Sequence, residues 1–249
     1  MRVAVIGGTG LIGSRVVARL AAAGHDVVSA SRETGVNSYT GDGLEQALDG
    51  VDTIVDVSNS GYLDERAANE FFFGSTLNLL TYGAVAGVRH HIALSVVGTD
   101  RLAQTEGGYF AAKAAQEKLI RASGKPYTIV HATQFFEFIK SIADAATIGG
   151  TIRLARALIQ PMAADDVAAA VTSAVDAEPV RGIVEFAGPD QFRIDDVVRQ
   201  QLRIRDDPRQ VTADPLATYF GARLDERELL PGPEATIAPT HFADWLRGQ

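Results

Sequence analysis

Short apolar runs alternate with amphipathic stretches over the first 190 residues. Val3–Ile6, Val27–Ala30, Thr53–Val57, His91–Val96, Tyr127–Val130 and Ile183–Phe186 are predicted as strands. Most are almost continuously apolar, as strands covered on both faces must be. Between them, Ile12, Val16 and Leu20 recur every four residues and Gly24 marks a helix stop. Leu77–Ala86, Ala111–Ala122, Asp166–Ala177 and Ile194–Leu202 are further predicted helices. Strand-helix alternation implies an α/β fold: a doubly wound parallel sheet with right-handed crossovers and a ligand crevice at the carboxyl ends of its strands. From about residue 189 onward the alternation stops. Gly188-Pro189, Asp207-Pro208, Asp214-Pro215, Pro231-Gly232-Pro233 and Ala238-Pro239 punctuate short segments. The expectation is one domain over residues 1–249, with a small cap of loops and helices, built mainly from about 189–249, over the substrate end.

Composition narrows the function classes. At 249 residues, 46% hydrophobic and 22% charged, the chain has ample material for a core. A net charge of −8 and the lack of a dense Lys/Arg cluster argue against nucleic acid as a partner. Without Cys, disulfides, thiolate catalysis and Cys-zinc sites are excluded, and none of the five His stands at a metal-ligand spacing, so no metal is expected. No stretch reads as a secretory signal or a membrane span, which predicts a cytoplasmic protein without a membrane partner. The 23 basic residues are 19 Arg and only four Lys, so each Lys carries more information than usual.

The first predicted strand runs into Gly7-Gly8-Thr9-Gly10-Leu11-Ile12-Gly13, and a helix follows at once. In a G-x-x-G-x-x-G loop, Gly7 permits the tight turn, Gly10 lets backbone approach a pyrophosphate, and Gly13 lets helix and strand pack closely. The helix start then offers N–H groups and partial positive charge to phosphate. Thr9, Leu11 and Ile12 belong to the same turn. The alternative is a tight turn without a ligand, but a strand before and a helix after are the context that dinucleotide binding requires. At the end of the second strand an acid would bind the ribose 2′-hydroxyl, and here the chain reads Ser31-Arg32. A hydroxyl and a guanidinium suit a 2′-phosphate, so NADP(H) is favoured, with NAD(H) as the alternative. Arg32 can also be read as a solvated loop residue. Ser58 and Asn59 fall where the loop after the third strand should pass the cofactor.

Tyr109-Phe110-Ala111-Ala112-Lys113 places Tyr and Lys on one helix face, one turn apart. Ser95 precedes them at the end of the fourth strand. A hydride acceptor such as a ketone needs a proton as hydride arrives. A Tyr hydroxyl can give it once a nearby cation draws its pKa down from about 10. Ser95 can stabilise the developing oxyanion, and Lys113 can also reach ribose hydroxyls. The bland alternative is a half-buried Tyr, a solvated Lys and a Ser closing a strand.

At these residues the chain resembles the short-chain dehydrogenases/reductases, and most closely their atypical, NmrA-like branch. Gly7, Gly10 and Gly13, with Ser95, Tyr109 and Lys113, carry the wider resemblance. Ser31-Arg32, Ser95-Val96-Val97-Gly98, Thr133-Gln134-Phe135-Phe136-Glu137-Phe138, Gly188-Pro189 and Phe242-x-x-Trp245-Leu246 are similar to the branch. The resemblance covers essentially the whole chain. It implies a Rossmann fold, NADP(H) binding with Thr133 at the cofactor, Tyr109 as acid/base, Lys113 as ribose partner and Ser95 as substrate anchor. One departure is His131, where the branch often carries Arg. Many NmrA-like proteins lack the Tyr/Lys pair and do not transfer hydride; this chain keeps both.

Phe71-Phe72-Phe73 and Phe135-Phe136-x-Phe138 hold six of the 11 Phe. Three consecutive Phe on a helix cannot all face one side, so at least one should meet a cleft, an interface or solvent. Phe135, Phe136, Gln134 and His131 follow the fifth strand and are the candidate substrate residues. Flat aromatic walls suit an aromatic or quinone substrate, although ordinary packing would use the same residues. Two functions follow. One is an NADP(H)-dependent reductase of a carbonyl or quinone, including one that tailors secondary metabolites. The other is a cofactor sensor that needs the Gly loop but not Tyr109. The expected oligomeric state is a monomer or homodimer.

Overall fold

The computed structural model describes residues 1–60, 64–103 and 108–248. All six predicted strands form. β1 (Arg2–Ile6), β2 (Asp26–Ala30), β3 (Thr53–Asp56), β4 (His90–Val96), β5 (Tyr127–Ala132) and β9 (Gly182–Ala187) are parallel. A two-residue strand, β12 (Thr236–Ile237), adds to the β9 edge. The order is β2-β1-β3-β4-β5-β9-β12. The chain moves one way from β1 to β2 and the other way from β1 to β3, so the switch point lies between β1 and β3. Ligand crevices open at such a point.

The continuous apolar runs are explained by cover on both faces. In β1, Val3 and Val5 point into a core with Ile12, Val16 and Leu20 of α1 (Leu11–Ala22) and Val167 and Val171 of α7 (Ala164–Asp176). Ala4 and Ile6 point the other way, against Leu44 of the one-turn α2 (Leu44–Ala47) and Leu79 of α3 (Glu65–Val85). α3 packs along α5 (Gly108–Ala122) on that second face. The short α4 (Thr99–Leu102) precedes α5. α3 is far longer than the predicted Leu77–Ala86. Asp64 caps it by accepting the Ala67 amide at 3.0 Å, and its apolar positions are spread around the cylinder, which hides a helical period. It also sorts the Phe triplet: Phe72 is buried, Phe73 is 52% exposed, and Phe71 faces the cleft.

The cap is built differently from the expectation. It draws on residues 136–159 as much as on the C-terminal segment. α6 (Ile139–Ala145), β6 (Thr147–Ile148), β7 (Thr151–Leu154) and β8 (Leu158–Ile159) come from the first stretch. β10 (Phe192–Arg193), α8 (Ile194–Ile204), β11 (Gln210–Ala213) and α9 (Phe242–Arg247) come from the second. β11-β7-β6 form one small sheet and β10-β8 another. Two-residue strands leave almost no periodic trace, so the sequence pattern missed them. Beyond the cap, β12 returns the chain to the main sheet. The cap core contains Phe136, Ile139, Ile152, Leu154, Val197 and Phe242.

Candidate active site

The Gly loop leaves β1 with Gly7 at φ +83, in the left-handed region that Gly occupies without strain. A Cβ on Gly7 would stand 3.0 Å from Ser58 backbone, so the loops after β1 and β3 meet at the switch point. A Cβ on Gly13 would stand 2.0 Å from the Gly7 carbonyl oxygen, which is the close helix–strand approach expected of that position. The first α1 hydrogen bond here runs from Ser14 N to Gly10 O at 3.0 Å. The amides of Leu11, Ile12 and Gly13 precede it, no side chain caps the helix, and its first turn holds no acid. An open N-terminus of this kind suits an anion. Gly8 is constrained as well: a Cβ there would come 2.4 Å from Ser29 Oγ and 2.9 Å from Val5 O. Gly13→Ala should cost about 1–3 kcal/mol of stability, because it must displace the Gly7 carbonyl that shapes the loop. It should also weaken NADPH binding. A denaturant titration and a cofactor titration on the same variant check both effects.

A cavity of about 700 Å³ runs over this loop. Thr9, Gly10, Leu11 and Ile12 line it, with Ser31 and Arg32 at one end. Arg32 is exposed there, at the start of a single turn Arg32–Thr34. Asn37 and Tyr39, which the sequence reading passed over, line the same end, and Tyr39 stacks on Phe71 at 6.4 Å between ring centroids. Ser58 and Thr133 reach the cavity, but their hydroxyls serve the loops. Ser58 Oγ and N both donate to Asp56 Oδ1, at 2.6 and 3.0 Å. Thr133 Oγ1 donates to Gln160 O at 2.7 Å. Gln134 is different. It is 7% exposed and lines the cavity, yet among the described residues neither its carboxamide nitrogen nor its oxygen has a hydrogen-bond partner. Such a group is costly unless a ligand supplies the missing donor and acceptor. The uncapped helix start and this carboxamide fit a nicotinamide dinucleotide.

The other end of the cavity holds Tyr109, Phe110, Lys113, Phe135 and Phe138. Tyr109 packs edge-on against Phe72 and Phe110, each at 5.9 Å between centroids. Phe135 stacks on Phe138 at 5.3 Å. Lys113 is 2% exposed. Its Nζ donates to Leu94 O at 2.8 Å and to Gln116 Oε1, and sits 4.5 Å from the Phe72 centroid. Gln116 Nε2 in turn donates to Asp56 Oδ2 at 2.9 Å. Burial pushes the Lys113 pKa down to about 8, against the opposing pull of Asp56 and Glu117. Lys113 is thus neither solvated nor loose; it is an anchored cation one turn from Tyr109.

Three expectations change. Ser95 lines the cavity, but its hydroxyl donates to Glu117 Oε1 at 2.6 Å, so its proton is already committed. His131 does not line the cavity; it is 2% exposed, within β5, with Nε2 2.8 Å from Glu117 Oε1 and Nδ1 3.8 Å from Glu185 Oε1. Phe136 turns away from the cavity into the cap core, 5.1 Å from Phe242 and 5.3 Å from Trp245. The organising residue that sequence reading missed is Glu117. It is buried, and it also takes Arg121 Nη2 on Oε2 at 2.8 Å. Its spacing of four from Lys113 is the signal that could have found it, since that puts it on the same inward helix face.

A parallel sheet with its switch point over a Gly loop and an open helix N-terminus defines a dinucleotide-binding protein. A family model described as NAD(P)H-binding matches residues 7–178, and the chain belongs to that NAD(P)H-binding family. Among curated proteins, a (4-alkanoyl-5-oxo-2,5-dihydrofuran-3-yl)methyl phosphate reductase of Streptomyces griseus is 31% identical over 163 residues, 60% of this chain and 53% of the relative. The photosystem II assembly factor Ycf39 of Synechocystis is 24% identical over 151 residues, 55% of this chain and 46% of the relative. The chain thus spans about half the length of the curated relatives it matches. Among solved structures, MoeE5 in complex with UDP-glucuronic acid and NAD has a TM-score of 0.76 at 17% identity, covering 100% of this chain and 97% of the other. DesIV, a dTDP-glucose 4,6-dehydratase from Streptomyces venezuelae with NAD and TYD bound, has a TM-score of 0.72 at 20% identity, covering 99% and 95%. These likenesses show the Rossmann-like fold of the short-chain dehydrogenase/reductase neighbours. Among the described residues no helix is long and apolar enough to cross a membrane.

Proposed function

We propose that the protein is an NADP(H)-dependent oxidoreductase that reduces a carbonyl or quinone on an apolar, aromatic substrate. One observation carries this reading: Tyr109 and Lys113 open on the same cavity as the Gly loop and the α1 N-terminus. A reduced nicotinamide bound there supplies hydride. Leu11 and Ile12 amides hold the pyrophosphate, and the Gln134 carboxamide takes the matching amide or the substrate oxygen. Tyr109 gives the proton to that oxygen. Lys113 holds the ribose and keeps positive charge beside the phenol. Ser95, whose hydroxyl donates to Glu117 Oε1, borders this end of the cavity without a free proton for the substrate oxygen. The aromatic walls at Phe71, Phe135 and Phe138 favour a flat apolar substrate and exclude water. The reductase name of the Streptomyces griseus relative supports the same direction of chemistry.

The test is consumption of NADPH, followed by nicotinamide absorbance, against a panel of quinones and aryl ketones. Turnover with at least one class is the expected result. Tight NADPH binding with no turnover across the panel would move the protein to the cofactor-sensing reading. The cofactor preference rests on Arg32. Arg32→Ala should weaken NADPH binding by about tenfold or less, a loss of about 1 kcal/mol for an exposed charge pair. NADH binding should not change. Equal effects on the two cofactors would remove the 2′-phosphate role.

A further inference from the structure

A second cavity of about 320 Å³ adjoins the first on the far side of Tyr109. The two share Tyr109, Ile142, Tyr219 and Phe220 as lining residues. Beyond that shared wall Ala145, Ala146, Leu154, Ala155 and Ile194 contribute an aliphatic surface, from the end of α6, the end of β7 and the start of α8. Glu65 and Thr218 add an acidic and an aliphatic hydroxyl side chain, both exposed, beside the phenols of Tyr109 and Tyr219.

Phe220 stands where the cavities meet, and its backbone is unusual. Tyr219 N donates to Ala222 O at 2.7 Å and Ala222 N donates back to Tyr219 O at 3.0 Å. Phe220 and Gly221 are therefore the two central residues of a tight hairpin turn, with φ +47 and +89. Such turns favour Asn-Gly, because a bulky residue at positive φ is strained. A Phe kept at a position that Asn or Gly would fill more comfortably points to a use for its ring. That ring packs edge-on against Tyr219 at 4.8 Å, and Tyr219 packs against Phe110 at 6.2 Å. The Phe220 carbonyl also approaches Gly108, the residue before Tyr109: a Cβ on Gly108 would meet it at 3.0 Å. The turn thus abuts the start of α5.

We propose that this side cavity binds an unbranched alkyl arm carried by the substrate, with Phe220 as the wall that parts the arm from the reacting head at Tyr109. The assignment rests on the reductase reading for the head group, but its own basis is the aliphatic lining and the shared wall. The aliphatic side chains of this cleft give affinity through methylene burial.

The probe is a series of straight-chain methyl ketones from butanone to dodecanone, bound to protein saturated with NADP⁺ and followed by calorimetry. Without reduced cofactor no turnover intervenes. Affinity should rise by about fourfold per added methylene until the cavity is filled. Ala146→Leu and Ala155→Val, which fill it from two sides, should each stop the gain at a shorter chain. Affinity independent of chain length in the wild type would overturn the proposal. So would a gain that stops at the wild-type length in both variants. The quinone and aryl ketone panel with NADPH tests the head group separately: rising affinity in the alkyl series with no turnover in that panel would leave the arm site standing and remove the reductase reading.

Discussion

Tyr109→Phe is expected to lower NADPH-dependent turnover by about 10²–10⁴-fold, the usual contribution of a placed general acid, and to leave NADPH affinity unchanged. The substitution removes one oxygen and keeps the ring that packs against Phe72 and Phe110, so the helix start should hold its shape. The size of the effect follows from the surroundings. Among the described residues lining this end of the cavity, Lys113 is the cation, and Ser95 has its proton tied to Glu117. Lys113 sharpens the prediction into a pH dependence. Burial holds its pKa down to about 8, so it is charged at neutral pH and loses that charge as pH rises through about 8. The positive charge that favours the departing phenolic proton is lost with it, and wild-type turnover should fall above that point. Lys113→Met should flatten this limb while keeping an unbranched side chain of similar length beside Phe72. Turnover by Tyr109→Phe at wild-type rate would dismiss Tyr109 as the proton donor.

How much of this was legible in the sequence depends on the length scale of the signal. The central sheet was readable because each strand is buried on both faces and leaves a run of several apolar residues. Gly7 and Gly13 were readable because backbone geometry alone demands them. The cap was not, since β6, β8 and β10 are two residues long, and β8 finds its partner β10 only across the intervening α7 and β9. For Phe71–Phe73 the sequence showed that the three rings cannot share one side, because helical geometry forbids it, but not which of them would be buried. Phe136 was not assigned to the cap core, because its destination depends on Phe242 and Trp245, more than a hundred residues on. The same holds for His131. Position at a strand end says that a side chain is near the crevice, but not which face of the sheet it takes. Glu117 decides that, by offering a buried carboxylate on α5. Lys113 stood out by rarity among 19 Arg, whereas the polar residues that anchor it, Gln116 and Asp56, became visible only through tertiary contacts.

Glu117→Ala is expected to destabilise the fold by about 3–5 kcal/mol, the cost of taking one partner from a buried ion pair. A drop in melting temperature of about 2–4 °C per kcal/mol would accompany it in a chain of this size. Glu117 is buried with His131, Ser95 and Arg121 on its two oxygens. Removing it leaves His131 buried with only Glu185, 3.8 Å away, and frees the Ser95 hydroxyl into the crevice. The loss should depend on pH. Burial opposes the charge on His131, but hydrogen bonds and charges from Glu117 and Glu185 outweigh it and raise its pKa above the ordinary 6.5. Burial likewise opposes the charge on Glu117, and His131, Ser95 and Arg121 outweigh it, holding its pKa below 4.5. A raised histidine stabilises fully below its unfolded pKa and loses that contribution as pH rises through its folded value. A lowered carboxylate stabilises above its unfolded pKa and loses that contribution as pH falls. The pair therefore contributes most between about pH 4.5 and 6.5, and the gap between wild type and Glu117→Ala should narrow on either side of that window. Urea denaturation at about pH 5.5 and again well above neutrality measures it. The double variant Glu117→Leu/His131→Leu separates charge from packing. Replacing both partners by apolar groups should recover much of the loss, because no buried charge is then stranded. A double variant as unstable as Glu117→Ala, with no pH dependence in either, would show that Glu117 acts through packing alone and that the Ser95–Glu117–His131 cluster is not an electrostatic unit.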